Sequence, residues 1–232
     1  AVAALAEVDW LPESESLVAS SKKNSRLSAF SIASVSPNSS SSCAPQAKYS
    51  ILDPSGLTRM FDDNGRIAAV AGKCGNYSSF QYNSTTGRIE KVLTSFDNGT
   101  NQYVYAWTGD KITGVTYFVN SRAVLKTVYG YSGNQLKTVK LYENTTSSNN
   151  PSDWGDPISC SLYTYHTDGR IRHVIPPTQY RQMVNNGILD PELASESVLN
   201  SYASAEYEYL NGRVSRMYKN GRKYAHDFEY AF

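Results

Sequence analysis

From residue 49 to residue 232, hydrophobic and polar residues alternate in short runs that are separated by polar, glycine-containing turns. In one run, Tyr103, Tyr105 and Trp107 occupy every second position, so they share one face of an extended strand. The Asn64-Gly65 pair adopts positive φ at low cost, as the tight turn of a hairpin requires. This pattern predicts β-hairpins.

The hairpin pattern recurs six times. Each copy has an aromatic strand, a turn with Gly, in most copies Arg or Lys, then a branched aliphatic residue and a Val or Met three positions later. The copies span 58–70, 80–92, 103–115, 128–139, 162–174 and 207–217, and the aliphatic residue, called the anchor below, is Ile67, Ile89, Ile112, Leu136, Ile171 or Val214. A period of this size in residue type indicates a repeated supersecondary unit. The sequence therefore predicts an all-β fold, an antiparallel meander of about 12 strands.

A sheet of that width would leave two costly edges unless it curls or closes. We therefore expect a closed or nearly closed barrel, wider than an eight-stranded one. A flattened barrel or two packed sheets would also remove the edges. Charged residues in the middle of the strands, as in Ile89-Glu-Lys-Val, are untypical of a lipid-facing surface and favour a soluble barrel.

Two segments interrupt the texture of the repeats. Residues 177–202 are predicted to form a short helical insertion, in which Asp190 caps a helix that starts with Pro191 and Glu192. This insertion is a candidate plug or lid. Residues 1–48 are predicted to be an N-terminal arm or linker, because 11 serines fall between positions 20 and 42. The repeated domain is assigned to 49–232.

The composition argues against a nucleic-acid-binding protein and against a membrane-spanning helix. Lys and Arg number 22 against 21 Asp and Glu, which gives no electrostatic basis for nucleic-acid binding. No stretch approaches the roughly 18 apolar residues of a membrane helix, so the chain is not expected to span a membrane. Cys43, Cys74 and Cys160 form no CxxC motif and leave at least one thiol unpaired; their disulfide state stays open.

The Gly-Arg-Ile/Leu step after a Tyr-containing strand resembles the YD repeats of Rhs-type proteins, with Phe61-Asp62 as the nearest version of the Tyr-Asp pair. The chain is also similar to secreted proteins of unknown function from gut Bacteroidetes that have a porin-like fold. This resemblance implies a meandering barrel in a secreted or cell-envelope protein, with a lipid anchor upstream as an open alternative. It implies no activity.

No constellation of catalytic residues, metal ligands or cofactor loops is recognisable in the sequence. The aromatic residues admit two interpretations: cross-strand pairs that stabilise the sheet by roughly 0.2–1 kcal/mol each, or platforms for flat ligands. For the second interpretation the candidate ligand-binding residues are Trp154, Trp107, Tyr131 and Tyr165. Trp154, between Asp153 and Asp156, is the one expected to be most exposed.

The sequence thus favours a non-catalytic secreted or envelope binding module without cofactor or metal, for a glycan, a peptide or a surface partner. The alternative is a structural or interaction protein that assembles through its β-sheet. An enzyme is the least favoured class. The oligomeric state and the identity of the ligand are left open.

Overall fold

The computed structural model describes residues 49–52, 56–72, 76–96, 99–146 and 154–230. The predicted N-terminal arm, 1–48, lies outside these residues, as do Cys43 and Cys74. The fold is therefore that of the predicted repeat domain.

The described residues form fourteen strands and a helical insertion. The strands are β1 Tyr49–Leu52, β2 Thr58–Phe61, β3 Ile67–Ala71, β4 Tyr77–Tyr82, β5 Ile89–Phe96, β6 Gly99–Thr108, β7 Lys111–Val119, β8 Arg122–Ser132, β9 Gln135–Glu143, β10 Ser159–Tyr165, β11 Ile171–Ile175, β12 Ala205–Leu210, β13 Arg213–Lys219 and β14 Tyr224–Asp227. The helices are α1 Pro177–Asn185 and α2 Glu196–Tyr202, with a 3-10 turn at Pro191–Leu193 between them.

Every strand pairs antiparallel with its neighbour in sequence, so the order in the sheet is β1 to β14 without a crossover. The six predicted hairpins are β2–β3, β4–β5, β6–β7, β8–β9, β10–β11 and β12–β13. The all-β antiparallel meander is confirmed. The strand count is fourteen rather than about twelve because β1 and β14 add a half-unit at each end.

The predicted closure of the barrel is not confirmed. The pairing runs from β1 to β14, and within the described part of the chain no pairing joins these two strands. Both are four residues long with all residues exposed. Very short edge strands are one way in which a protein tolerates an open sheet, since they offer few unpaired backbone groups to another chain.

Each of the six hairpins contains a register shift at the same place. An aromatic residue at the end of the first strand, or one position before it, pairs with the anchor across a β-bulge: Phe61 with Ile67, Tyr82 with Ile89, Trp107 with Ile112, Tyr131 with Leu136, Tyr165 with Ile171 and Tyr209 with Val214. A bulge adds local twist to the strand that carries it and re-aims its side chains. The anchor of the sequence repeat is thus the residue that lies opposite the bulge in each hairpin.

The turns are stabilised by side chains within them. In the first hairpin, Asp62 Oδ1 accepts hydrogen bonds from the backbone N–H of Asn64 and of Arg66, both at 2.9 Å. Gly65 supplies the positive φ of 74° that the turn requires. These interactions span only four residues, which is why the turn could be predicted from the sequence.

The insertion packs where the sheet has its apolar cluster. α1 lies on β10 and α2 on β11, and the buried residues Leu162, Ile175, Met183 and Ala203 form the cluster between them. The predicted helical insertion near 177–202 is confirmed. Asp190 does cap, but it caps the 3-10 turn, because Ala194 is extended and α2 starts after Ser195. In the part of the chain that the structure describes, no helix has the length and apolar character that crossing a membrane would need.

Candidate binding site

Most successive repeats are held together by an aromatic residue, which stands at the bulge in four hairpins and beyond β14 in the case of Tyr230. Its polar atom donates to the carbonyl oxygen of the anchor of the preceding repeat. The pairs are Tyr82 to Ile67 at 2.9 Å, Trp107 to Ile89 at 2.8 Å, Tyr131 to Ile112 at 2.9 Å, Tyr165 to Leu136 at 2.7 Å and Tyr230 to Val214 at 3.0 Å. Each bond contributes about 0.5–1.5 kcal/mol net. The bond also fixes the aromatic ring against the preceding repeat.

A cation lies over four of these five rings and also over the ring of Tyr209. The residue before the anchor places its charge over the aromatic ring of the next repeat: Arg66 over Tyr82 at 4.4 Å, Arg88 over Trp107 at 5.4 Å, Lys111 over Tyr131 at 5.3 Å, Arg170 over Tyr209 at 4.5 Å and Arg213 over Tyr230 at 5.1 Å. Exposed cation–π pairs contribute about 0.5–1 kcal/mol. The basic residue of the sequence repeat is therefore part of the contact between repeats.

The cation also reaches the next turn. Arg66 Nη1 lies 3.5 Å from the carbonyl oxygen of Gly87, and Arg88 and Lys111 donate to the carbonyl oxygens of Gly109 and Gly133. Where the fourth copy has no cation, Gln135 donates to the carbonyl oxygen of Gly169 at 3.1 Å. One ladder of ring and turn contacts thus runs across the hairpins.

Two depressions open along this ladder. The Trp107 depression, of about 310 Å³, is lined by Asn83, Thr86, Arg88, Glu90, Tyr105 and Trp107. The Tyr131 depression, of about 700 Å³, is lined by Thr108, Gly109, Asp110, Lys111, Thr113, Tyr129, Tyr131 and Asn134. The second is the first displaced by one repeat, since Lys111, Thr113, Tyr129 and Tyr131 stand where Arg88, Glu90, Tyr105 and Trp107 stand one repeat earlier.

The two depressions are electrically balanced. The Trp107 depression holds one cation, Arg88, and one carboxylate, Glu90. The Tyr131 depression holds Lys111 and Asp110. Arg88 also pairs with Asp110, so the two depressions share an ion pair along their common border. Neither depression has a surplus charge that would select an anionic or a cationic ligand.

Each depression offers one tyrosine hydroxyl that none of the described residues uses. Trp107 and Tyr131 are fixed by their hydrogen bonds to anchor carbonyls, but the hydroxyls of Tyr105 and Tyr129 make no hydrogen bond to the described residues. Burial and the neighbouring Tyr103 and Tyr129 raise the pKa of Tyr105, and burial and Tyr131 raise the pKa of Tyr129. Both groups therefore stay protonated at neutral pH and can donate to a ligand.

Glu90 is oriented by the preceding turn. Asn83 donates from Nδ2 to Glu90 Oε1 at 2.7 Å, while its own Oδ1 accepts from the backbone N–H of Thr85 and of Thr86. The amide is thereby fixed in one orientation, and it fixes the carboxylate. An oriented carboxylate beside an aromatic ring is suited to accept hydrogen bonds from a hydroxylated ligand.

The structure places the four predicted ligand-binding residues in different environments. Trp107 and Tyr131 line the two depressions. Tyr165 holds the equivalent ladder position one repeat later, yet it lines neither depression. Trp154 was expected to be exposed, and this is wrong: only 4% of it is exposed. The ring is buried despite the polar sequence around it.

A second cluster of titratable groups lies beneath the insertion. His173 Nδ1 is 2.6 Å from Thr164 Oγ1, and His173 Nε2 is 2.6 Å from Asn200 Oδ1 and 3.7 Å from Glu206 Oε1. Since the amide oxygen can only accept, Nε2 carries the proton and Nδ1 accepts from the threonine hydroxyl. Burial lowers the pKa of His173 in spite of the hydrogen bond to Asn200, so the imidazole is neutral.

Glu206 in this cluster is paired with Arg222. The guanidinium donates to both carboxylate oxygens, at 2.5 and 2.6 Å. Burial alone would raise the pKa of Glu206, but the hydrogen bonds and charge of Arg222 outweigh burial and lower it. His173 is 1% exposed and Glu206 is 2% exposed, so a substrate would not reach either group. We assign the cluster to the attachment of the insertion.

Metal-binding and thiol chemistry have little support here. Among the residues that the structure describes, no group of three or more His, Cys, Asp or Glu side chains could hold a metal ion. Cys160 is a buried free thiol. Burial raises the pKa of Cys160, which keeps it protonated and unreactive.

Comparison with known proteins adds no family. No family model matches the chain, and no curated protein matches it. A structure of a point mutant of S. aureus TarM in complex with fondaparinux, alpha-GlcNAc-glycerol and UDP is 11% identical over 61% of this chain and 23% of that chain, with a TM-score of 0.21. A crystal structure of TarM is 12% identical over 78% of this chain and 21% of that chain, with a TM-score of 0.19.

The chain thus spans less than a quarter of the length of these two solved structures. At these TM-scores the likeness supports no conclusion about fold or function. The resemblance to YD-repeat proteins and to porin-like secreted proteins stays a prediction.

The polar lining of the depressions was not predicted. Arg88, Glu90, Asp110 and Lys111 lie at or beside the turn in their repeats, and the basic position before the anchor is visible in the sequence. The signal that could have found the site is the combination of that basic position with the two alternating aromatic residues of the following strand. Only the register of neighbouring strands shows that these positions meet.

Proposed function

We propose that this protein is a non-catalytic binding module for a neutral glycan, which it binds at the Trp107 and Tyr131 depressions. The observation that carries the proposal is the combination of a fixed aromatic ring, an unused tyrosine hydroxyl and balanced charge, found twice. A sugar ring presents an apolar C–H face to an aromatic ring and hydroxyl groups at its rim. The ring surface of Trp107 and Tyr131 that Arg88 and Lys111 leave uncovered matches the first feature, and the hydroxyl and charged groups beside it match the second.

Balanced charge favours a neutral glycan over a charged ligand. A nucleic acid or a phosphorylated ligand would require a basic surplus, which neither depression has. The fixed rings reduce the entropy lost on binding, because Trp107 and Tyr131 are already ordered by the ladder. Glycoside hydrolysis uses two carboxyl groups that face each other across the bond to be cleaved. Among the described residues, each depression is lined by one carboxylate, Glu90 or Asp110, so neither supports this reaction.

A glycan microarray followed by isothermal titration calorimetry tests the proposal. Tyr129→Phe removes the unused hydroxyl and keeps the ring, so we expect roughly three- to ten-fold weaker binding, equivalent to one hydrogen bond. Tyr163→Phe is the matched control, since Tyr163 holds the equivalent position one repeat later and lines neither depression. The proposal fails if no neutral glycan binds, or if the two variants bind equally.

The location that we propose is secreted or cell-envelope, which is consistent with the resemblance to exported proteins. Fractionation of cells that express the native gene tests it, with a cytoplasmic protein as the control.

A second candidate function is assembly through the edges of the sheet. All four residues of β14 are exposed, and Phe228 and Tyr230 beyond it are also exposed. An edge strand can pair with a strand of another chain. Light scattering over a hundred-fold range of protein concentration tests this: a mass that rises with concentration supports assembly, and a constant monomer mass rejects it.

A further inference from the structure

We propose that the ligand is a linear neutral polysaccharide that lies across the strands and occupies both depressions with successive repeating units. This inference rests on the proposed function and adds the chemical class and the binding mode of the ligand. It starts from the finding that the two depressions are the same site, displaced by one hairpin.

The displacement by one hairpin sets the distance between the two depressions. Trp107 is on β6 and Tyr131 is on β8, so two strand spacings separate them. Neighbouring strands lie about 4.8 Å apart, so equivalent positions in the two depressions lie about 10 Å apart. A polymer whose repeating unit has this length, or an integer fraction of it, presents the same chemical groups to both depressions.

The two depressions meet at a common border. The turn with Gly109 and Asp110 follows the strand of Trp107 and lines the Tyr131 depression. Arg88 of the Trp107 depression pairs with Asp110 and donates to the carbonyl oxygen of Gly109. A ligand that runs along the ladder therefore crosses this ion pair between one depression and the next.

Binding at two linked sites depends on ligand length. A short oligosaccharide fills one depression, whereas a longer one fills both, and the second contact then forms within the same complex. Such linked binding raises affinity by about 10²-fold or more when the geometry fits. The two depressions differ in detail, with Trp and Glu in one and Tyr and Thr in the other, so we expect a modest rather than an ideal gain, on the order of 10-fold to 10²-fold.

The experiment is calorimetric titration of the full chain with β-1,4-linked and α-1,4-linked glucose oligomers of two, four and six units. We expect one of the two series to bind, with affinity rising at least about 10-fold from the dimer to the hexamer and with one hexamer bound per chain. Tyr105→Phe and Tyr129→Phe each weaken one depression, so each is expected to reduce this gain while dimer binding at the other depression persists. Tyr163→Phe is expected to keep the full gain.

The outcomes separate this inference from the proposed function. If oligomers bind with an affinity that does not depend on length, or if both variants keep the full gain, the two-site mode is overturned while glycan binding stands. If no neutral oligosaccharide binds, both are overturned. Oligoproline is included as a peptide probe, because its helix repeats at about 9.3 Å per turn. Binding of oligoproline in place of the oligosaccharides overturns the assignment of the ligand class.

Discussion

A single methyl group at Gly130 provides a stringent test of how the sheet is packed. Gly130 lies on β8 between Tyr129 and Tyr131 and pairs with Thr138 on β9. A Cβ atom at Gly130 would lie 2.3 Å from Thr138 Oγ1, far inside van der Waals contact. Thr138 is 4% exposed, and as a β-branched residue it has few alternative rotamers.

The expected effect of Gly130→Ala follows from two opposed contributions. Replacing glycine within a strand gains about 0.5–1 kcal/mol, because the unfolded chain loses freedom. The overlap with Thr138 costs about 1–3 kcal/mol, as overpacking of a core does. We expect a net loss of about 1–2 kcal/mol in the free energy of unfolding, or a Tm lowered by roughly 2–8 °C for a protein of this size.

Gly114→Ala is the matched control. A Cβ atom there would lie 3.4 Å from the carbonyl oxygen of Thr127 and 3.7 Å from Ala106 Cβ, which are ordinary contacts. We expect this variant to be unchanged or up to about 1 kcal/mol more stable. The two substitutions remove the same amount of backbone freedom, so their difference isolates the overlap with Thr138.

Urea denaturation followed by far-UV circular dichroism measures these changes, and a double-mutant cycle assigns them. In a Thr138→Ala background the clashing oxygen is absent, so Gly130→Ala should cost nothing there or stabilise the fold. The reasoning is refuted if Gly130→Ala is as stable as Gly114→Ala. It is equally refuted if the cost of Gly130→Ala stays the same in the Thr138→Ala background.

Three further predictions concern the ladder and the buried cluster. Tyr131→Phe removes the hydrogen bond to the carbonyl oxygen of Ile112 and should lower the free energy of unfolding by about 1 kcal/mol; an unchanged urea midpoint would contradict the interlocking of repeats. His173 has a lowered pKa, so its contribution to stability is present above about pH 6.5 and decreases as pH falls toward the folded-state pKa. His173→Gln should therefore flatten this part of the curve of unfolding free energy against pH. If the variant and the wild type have the same slope there, the result argues against burial of the neutral imidazole. Glu206→Gln should lower the free energy of unfolding by about 1–3 kcal/mol at pH 7, less than for a fully buried pair because the Arg222 side chain is 42% exposed. Since the pKa of Glu206 is lowered in the folded state, the difference from wild type should shrink as pH falls below about 4.3. A difference in Tm that stays constant between pH 7 and pH 3 would exclude the ion pair as its cause.

Much of the fold was predictable because the hairpins are local. The turn that Asp62, Asn64 and Gly65 form uses hydrogen bonds within four residues, and the strands on either side alternate in the printed sequence. The repeat itself supplied the order of the strands, since elements that follow one another along the chain tend to be neighbours in space. This holds here even across the longer links 144–158 and 176–204. The helical insertion was predicted from a similarly local signal, Asp190 followed by Pro191 and Glu192.

The candidate site was predictable only in part. Trp107 and Tyr131 were among the four candidate residues, because an aromatic residue in a strand is visible in the sequence. Their partners Arg88 and Lys111 belong to the preceding repeat, about twenty residues earlier, and meet the rings only through the register between hairpins. The error at Trp154 has a related cause, since the polar residues beside it do not show what packs on its ring.

What is local along this chain is therefore encoded in its residue order: six hairpins, their turns, their sequence in the sheet and the helical insertion. Contacts between distant residues required the folded structure, including the pairing of Arg172 with Glu196, the burial of His173 against Asn200 and the open ends of the sheet. The physical reason is the range of the forces involved. A turn or a strand is favoured by backbone geometry within a few residues, whereas burial and charge pairing depend on how the whole sheet twists and on which side chains that twist brings together.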